Sequence, residues 1–200
     1  MTTQPVMTNG NDDVFAAVLE LLRDSGLAPA SVRNLAEAVV VDGAVSGRPG
    51  SVVVAAVDDD GNDGRILRYA AREAARRSVP LRVVHVWSPR ATAREGMRLC
   101  RHDRMSDADR LLSDVLYDDL PAAEADAAER EIRSDVDAVR SLIGLSAGVS
   151  LLVIAARRGD SATGVAIGST VRGLAGRTGC PLAVLPPAGP DEWPPTPSTW

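Results

Sequence analysis

Gly159, Gly168 and Ser169 are the residues of this chain whose types and spacing best suit chemistry. They follow the apolar, β-branched run Leu151-Leu-Val-Ile-Ala155, which reads as a buried strand. A strand, a glycine-bearing loop and a helix opening at Gly168-Ser169 make the local arrangement of a phosphate site. Backbone N–H groups and a helix N-terminus face the anion, and glycine lets it come close. The same residues also read as an ordinary loop with a serine cap. Asp58 holds a comparable place after the other long apolar run, residues 51–57, and opens an acidic turn through Asp63. That turn lacks a terminal glutamate at calcium-loop spacing, so it reads as a solvated turn rather than a metal site. His85 lies inside an apolar strand and reads as a core histidine. Cys100 and Cys180 are far apart and, with His85 and His102, give no zinc-ligand spacing. Cys180 precedes a proline and reads as packing, while nothing beside Cys100 activates a thiolate.

The elements that must position these groups alternate along the chain. Helical spacing of Phe15, Val18, Leu19 and Leu22 predicts a helix from Asp13, with Gly26 as its C-cap and residues 1–12 disordered. Val32, Leu35, Ala36 and Val39 predict a second helix, capped by Ser31. Residues 43–50 read as a linker, which places a boundary near Gly50. Strands follow at 51–57 and 81–87, with a helix carrying Ile66, Leu67, Ala70 and Ala74 between them. A polar loop spans 88–103. A helix from Ser106 stops by Pro121, a short strand covers 129–134, and Val136, Val139, Leu142 and Ile143 mark another helix that ends near Gly148. A strand over 150–155, the glycine loop, a helix from Ser169 to about Arg177 and a strand over 182–185 complete the pattern. The proline-rich tail, 187–200, is expected to be flexible. Alternation of this kind implies right-handed βαβ crossovers and an open parallel sheet. Ligands of such sheets sit beyond the carboxyl ends of the strands, where strand order reverses. The loops at Asp58 and after Ala155 both open there.

Composition narrows the function. The 200 residues suffice for one domain with extensions. A net charge of −5 and the absence of a basic stripe exclude general nucleic-acid binding, and 3% aromatic content excludes a base-stacking platform. All positive side chains are arginine; without lysine there is no P-loop. No signal peptide and no apolar run of about 20 residues is visible, so a soluble, reduced, cytoplasmic protein is expected, with no membrane partner.

Taken together, residues 52–87 (strand, Val-Asp turn, helix and a Val-His-Val-Trp strand end) and residues 147–185, from Ala147-Gly-Val-Ser through Gly168-Ser169 to Cys180-Pro-Leu-Ala-Val-Leu, resemble the two halves of a universal stress protein domain. The resemblance covers roughly 51–186. It implies a Rossmann-like α/β fold, an open parallel five-stranded sheet of order 3-2-1-4-5 flanked by helices, here with an N-terminal helical extension over 1–50. It also implies a homodimer; the last strand, at the sheet edge, is the expected surface. ATP-binding members carry Gly, two residues, Gly, nine residues, then Gly-Ser or Gly-Thr. Gly159 and Gly168-Ser169 match the later elements, Ala156 stands at the first glycine, and eight residues separate Gly159 from Gly168. A methyl at Ala156 obstructs close approach or disfavours a positive φ. The resemblance implies nucleotide contacts at Val57, Asp58 and Val86 on the nucleoside side, and at Ala156, Arg158, Gly159, Gly168, Ser169 and Thr170 on the phosphate side. Asp59 and Asp60 add charge that repels a triphosphate unless a cation such as Mg²⁺ intervenes, and Arg157 and Arg158 offset part of it.

The leading reading is an ATP-binding stress-response module rather than an enzyme, with no positioned base or nucleophile; slow ATP hydrolysis stays compatible with it. The alternative is a degenerate member that binds no nucleotide and serves as a dimeric scaffold for an unknown protein partner. The N-terminal segment would then engage that partner, or simply bury its own apolar stripe. An ATP pyrophosphatase or adenylyl transferase lacks its signature loops here.

Overall fold

A computed structural model describes residues 10–26, 32–44, 50–58, 62–87, 105–158 and 165–187. Gly159, the polar loop at 88–103 and the tail beyond Pro187 lie outside the described residues. The chain runs α1 (Gly10–Asp24), β1 (Val32–Asn34), β2 (Val39–Val41), β3 (Val53–Val57), α2 (Asp63–Arg77) and β4 (Leu81–Trp87). It continues through α3 (Met105–Asp119), α4 (Ala122–Ala127), β5 (Glu129–Ser134), α5 (Ala138–Leu145) and β6 (Leu151–Ala155). Last come β7 (Arg157–Arg158), β8 (Val165–Ala166), α6 (Ser169–Leu174) and β9 (Leu182–Leu185).

One sheet of seven strands, ordered β1-β2-β9-β6-β3-β4-β5, organises the molecule. Its parallel part, β5-β4-β3-β6-β9, keeps the expected 3-2-1-4-5 order. Side chains alternate across it, as the two-residue period of a strand requires. Val54, Leu152, Ile154, Leu182 and Val184 face a layer of α1, α5 and α6. Val53, Ala55, Leu151, Val153 and Leu185 face α2 and α3. Both faces are therefore covered, which is why the central strands read as continuous apolar runs.

Two expectations are corrected. Residues 32–41 form no helix: β1 and β2 make an antiparallel hairpin, and β2 pairs antiparallel with β9 along Val39↔Val184, Val40↔Ala183 and Val41↔Leu182. Valine is β-branched and favours such a pleated, buried setting. All three residues of β2 are buried. As a result β9 is an interior strand, and its edge is not available to a second copy. The N-terminal segment lies in the same sheet as the rest of the chain, although the expected linker precedes β3.

Helix α1 starts at Gly10, earlier than the apolar spacing predicts, and ends at a Gly26 with φ +73°. It buries Val14, Val18, Leu21 and Leu22 against the face that β2 and β9 share. Each such side chain contributes about 1.5–3 kcal/mol when fully buried. Pro121 begins a further short helix, α4, that the periodicity did not foretell.

Candidate functional site

Strand order reverses between β3 and β6, because the chain leaves β3 for β4 on one side and returns at β6 on the other. The carboxyl ends of these strands bound the crevice that open α/β sheets use for ligands. Register sets which residues meet there. Val57 is level with His85 on β4, so Asp58 and Val86 lie one row beyond. The β3–β6 register, with Ala55 opposite Val153, carries Ala156 to the same row. Three positions expected from the sequence are thus brought to one level of the sheet.

What each can offer differs. Asp58 is exposed, and its backbone N–H donates to Asp63 Oδ1 at 3.1 Å, which closes the turn from β3 into α2. Asp63 is itself buried at the first position of that helix, where a carboxylate is stabilised by the helix dipole. Val57 faces α2 and α3 and is buried, while Val86 is half-buried on the opposite face. His85 is buried, and its Nδ1 lies 3.0 Å from Val57 O. A carbonyl only accepts, so this nitrogen carries the proton and the ring clamps β4 to β3.

Ala156 is engaged by the fold itself. Its methyl is fully buried in the core beside α1, α5 and α6, and its N–H donates to Leu185 O at 2.8 Å. The position shows no positive φ, so the backbone strain feared for a non-glycine residue does not arise. That bond follows the Ala155–Leu185 pair and adds one backbone link to the β6–β9 ladder.

Beyond Ala156 the chain forms a small antiparallel ribbon that the sequence reading missed, pairing Arg157 with Ala166 and Arg158 with Val165. Its available signal was the pair of short segments flanking a loop with glycine at both ends, residues 159–164. The ribbon returns the chain to Gly168, the N-cap of α6 with φ −65°. A Cβ there would come 3.1 Å from Arg157 Cδ, so the glycine makes room for the arginine stem. Arg157 is thereby held beside the start of α6 and is exposed. Ser169 is exposed at the first helical position, Thr170 follows half-buried, and the N-cap Gly168 supplies no side-chain cap. A helix start with glycine at its N-cap, beside an arginine, fits a small anion.

Cys180 lies on the opposite side of the problem. Burial pushes its thiol up to about 11, and the Leu152 N–H opposes this only partly. Such a group is protonated and unreactive near neutral pH, as a packing role requires. No group of three or more potential metal ligands occurs among the described residues, and none of their helices is long and apolar enough to cross a membrane.

The universal stress protein family model matches residues 51–186. The chain belongs to that family. Among solved structures, a universal stress protein from Archaeoglobus fulgidus is 21% identical, covering 67% of this chain and 92% of its own, with a TM-score of 0.49. Another Archaeoglobus fulgidus universal stress protein, in complex with dAMP, is 22% identical over 68% of this chain and 97% of its own, with a TM-score of 0.47. A third, in complex with cAMP, is 17% identical over 70% of this chain and all of its own, also with a TM-score of 0.47. No curated protein sequence matches this chain. The matched span of this universal stress protein begins after the N-terminal helix and hairpin, which are additions to the family domain.

Proposed function

We propose that this universal stress protein is a cytoplasmic binding module for an adenine nucleotide, ATP with Mg²⁺ in the first instance. The nucleoside would lie over Val57, Asp58 and Val86, and the phosphates toward Gly168, Ser169 and Thr170. The observation that carries the reading is the row formed by Asp58 and Val86 beside the strand-order reversal, joined by topology to the glycine-capped start of α6. Arg157, beside that helix start, and Arg158 and Gly159, next in the chain, would complete the phosphate side. A cation would offset the carboxylates at Asp58 and Asp63. Occupancy would order the loops around the crevice and so report nucleotide level to an as yet unidentified protein partner. The module binds its ligand rather than turning it over.

A specific observation favours a second reading. Ala156 has its N–H committed to Leu185 and its methyl in the core, so one element of the family's phosphate loop is spent on the fold. In that reading the crevice is vestigial and the domain is a scaffold.

Calorimetric titration of the nucleotide-stripped chain with Mg-ATP separates the two. Saturable binding, weakened about tenfold by Arg157→Ala and less by Ser169→Ala, is expected of the module; tenfold corresponds to about 1.4 kcal/mol, an ordinary charged hydrogen bond. Absence of heat at millimolar nucleotide would leave the scaffold reading standing.

A further inference from the structure

We propose that α1 and the β1–β2 hairpin are a built-in partner: they hold the edge of β9 that a second copy of this chain would otherwise pair with, and they keep the protein monomeric.

The parallel part of the sheet ends at β9. Left bare, Leu182–Leu185 would present a row of unpaired backbone groups, a template for another strand. A two-fold axis beside such an edge brings two identical strands together antiparallel. Here β2 lies on that edge in the same antiparallel sense, over three residue pairs.

The cover is fastened on both faces and at both ends. On one face Val14, Val18, Leu21 and Leu22 of α1 join Val39 and Val41 over Leu182 and Val184. On the other, Val40 packs with Ala183. At one end Asn11 Nδ2 donates to Asn34 Oδ1 and, at 2.5 Å, to Leu35 O, while Asn34 Nδ2 donates to Asp12 Oδ1 at 3.0 Å. At the other, the Ala44 N–H donates to Thr178 O at 2.8 Å. Gly43 presses so close to the approach to β9 that a Cβ would stand 2.6 Å from Cys180 O.

The edges that remain suit a monomer. β1 has three residues, and its Arg33 pairs with Asp42 at 2.8 Å. β5 carries Glu129, Arg130, Glu131 and Arg133, with Arg82 bridging Glu129 at 2.7 Å and Glu131 at 3.3 Å. Short length and charge are the devices that discourage edge pairing.

The test is sedimentation equilibrium of the full chain and of the Val39→Asp/Val41→Asp double variant, over about a hundredfold concentration range, since association follows mass action. The natural chain is expected to show the mass of one chain throughout. The variant, whose carboxylates cannot stay in the apolar layer under α1, is expected to release the hairpin and self-associate with rising concentration. A natural chain that dimerises, or a folded variant that stays monomeric, overturns the proposal. If circular dichroism shows the variant unfolded, hydrogen exchange of the natural chain decides. Concentration-independent protection of the Leu182–Leu185 amides supports the built-in partner, and protection that fades on dilution refutes it.

Discussion

Truncating Leu22 to alanine measures whether α1 is part of the folding unit. Leu22 is 1% exposed and packs in the layer that holds Val39, Val41, Leu182 and Val184. Leu22→Ala removes three carbons, about 2.4 kcal/mol of transfer free energy at about 0.8 kcal/mol each. The cavity left beside the two strands adds to this, since buried Leu→Ala changes cost about 2–5 kcal/mol. A loss of about 3–4 kcal/mol is therefore expected, a large share of a typical stability of about 5–15 kcal/mol. Urea denaturation of the full chain followed by far-ultraviolet circular dichroism is the assay. The midpoint should fall with an unchanged slope, because the same surface is exposed on unfolding. Leu35→Ala is the control: at 44% exposed it should cost less than about 1 kcal/mol. The reasoning fails if Leu22→Ala costs less than about 1 kcal/mol. It also fails if α1 melts in a separate early step while the main transition stays in place, since α1 would then be a detachable decoration.

Three further expectations follow from particular contacts. Gly173 and Gly144 should respond to alanine with opposite signs in the same denaturation assay. At 173 a Cβ would meet both Val139 methyl groups at 2.6 Å, so overpacking between α5 and α6 should cost about 1–3 kcal/mol. At 144, inside α5, a Cβ would meet nothing within 4 Å beyond its own stretch of helix, so the gain in helix propensity should stabilise by about 0.5–1 kcal/mol; equal effects would disprove the packing argument. Cys180 should make stability fall at high pH. Below an unfolded pKa of about 8.5–9 both states keep the proton, and between there and about 11 only the folded state does. The free energy of unfolding should therefore drop by roughly 2–3 kcal/mol across that window, and Cys180→Ala should lack this component; parallel pH profiles for the two proteins would contradict it. Finally, in a Cys100→Ser background a thiol reagent at neutral pH should label Cys180 only at the rate of unfolding, and rapid labelling of the native chain would show that the thiol is not buried.

Legibility followed burial and length. β3, β4, β6 and β9 could be read because each is covered on both faces, so nearly all their residues are apolar, Arg82 and His85 of β4 excepted. α2 and α5 could be read because one stripe meets the sheet and the rest meets water. Residues 32–41 could not. Val32, Leu35, Ala36 and Val39 fit a helical period, and two strands of three residues are too short to display alternation. What makes them strands is the backbone edge of β9, far away in sequence, whose hydrogen bonds no local pattern encodes.

The candidate site divides the same way. The order of residue types along the chain was enough to place Asp58 and Gly168-Ser169 at the carboxyl ends of strands, because a βαβ chain has only one handed way to return to its sheet. It was also enough to mark Ala156 as the departure from the family's loop. Only the tertiary structure decided what that departure does. The Leu185 carbonyl takes the Ala156 N–H, and the core beneath α1 takes its methyl. Only the tertiary structure, likewise, turned an N-terminal extension into the cover of an edge. Local sequence sets the periodicity of each element; which backbone groups find partners across the sheet is settled by contacts between residues far apart in the chain.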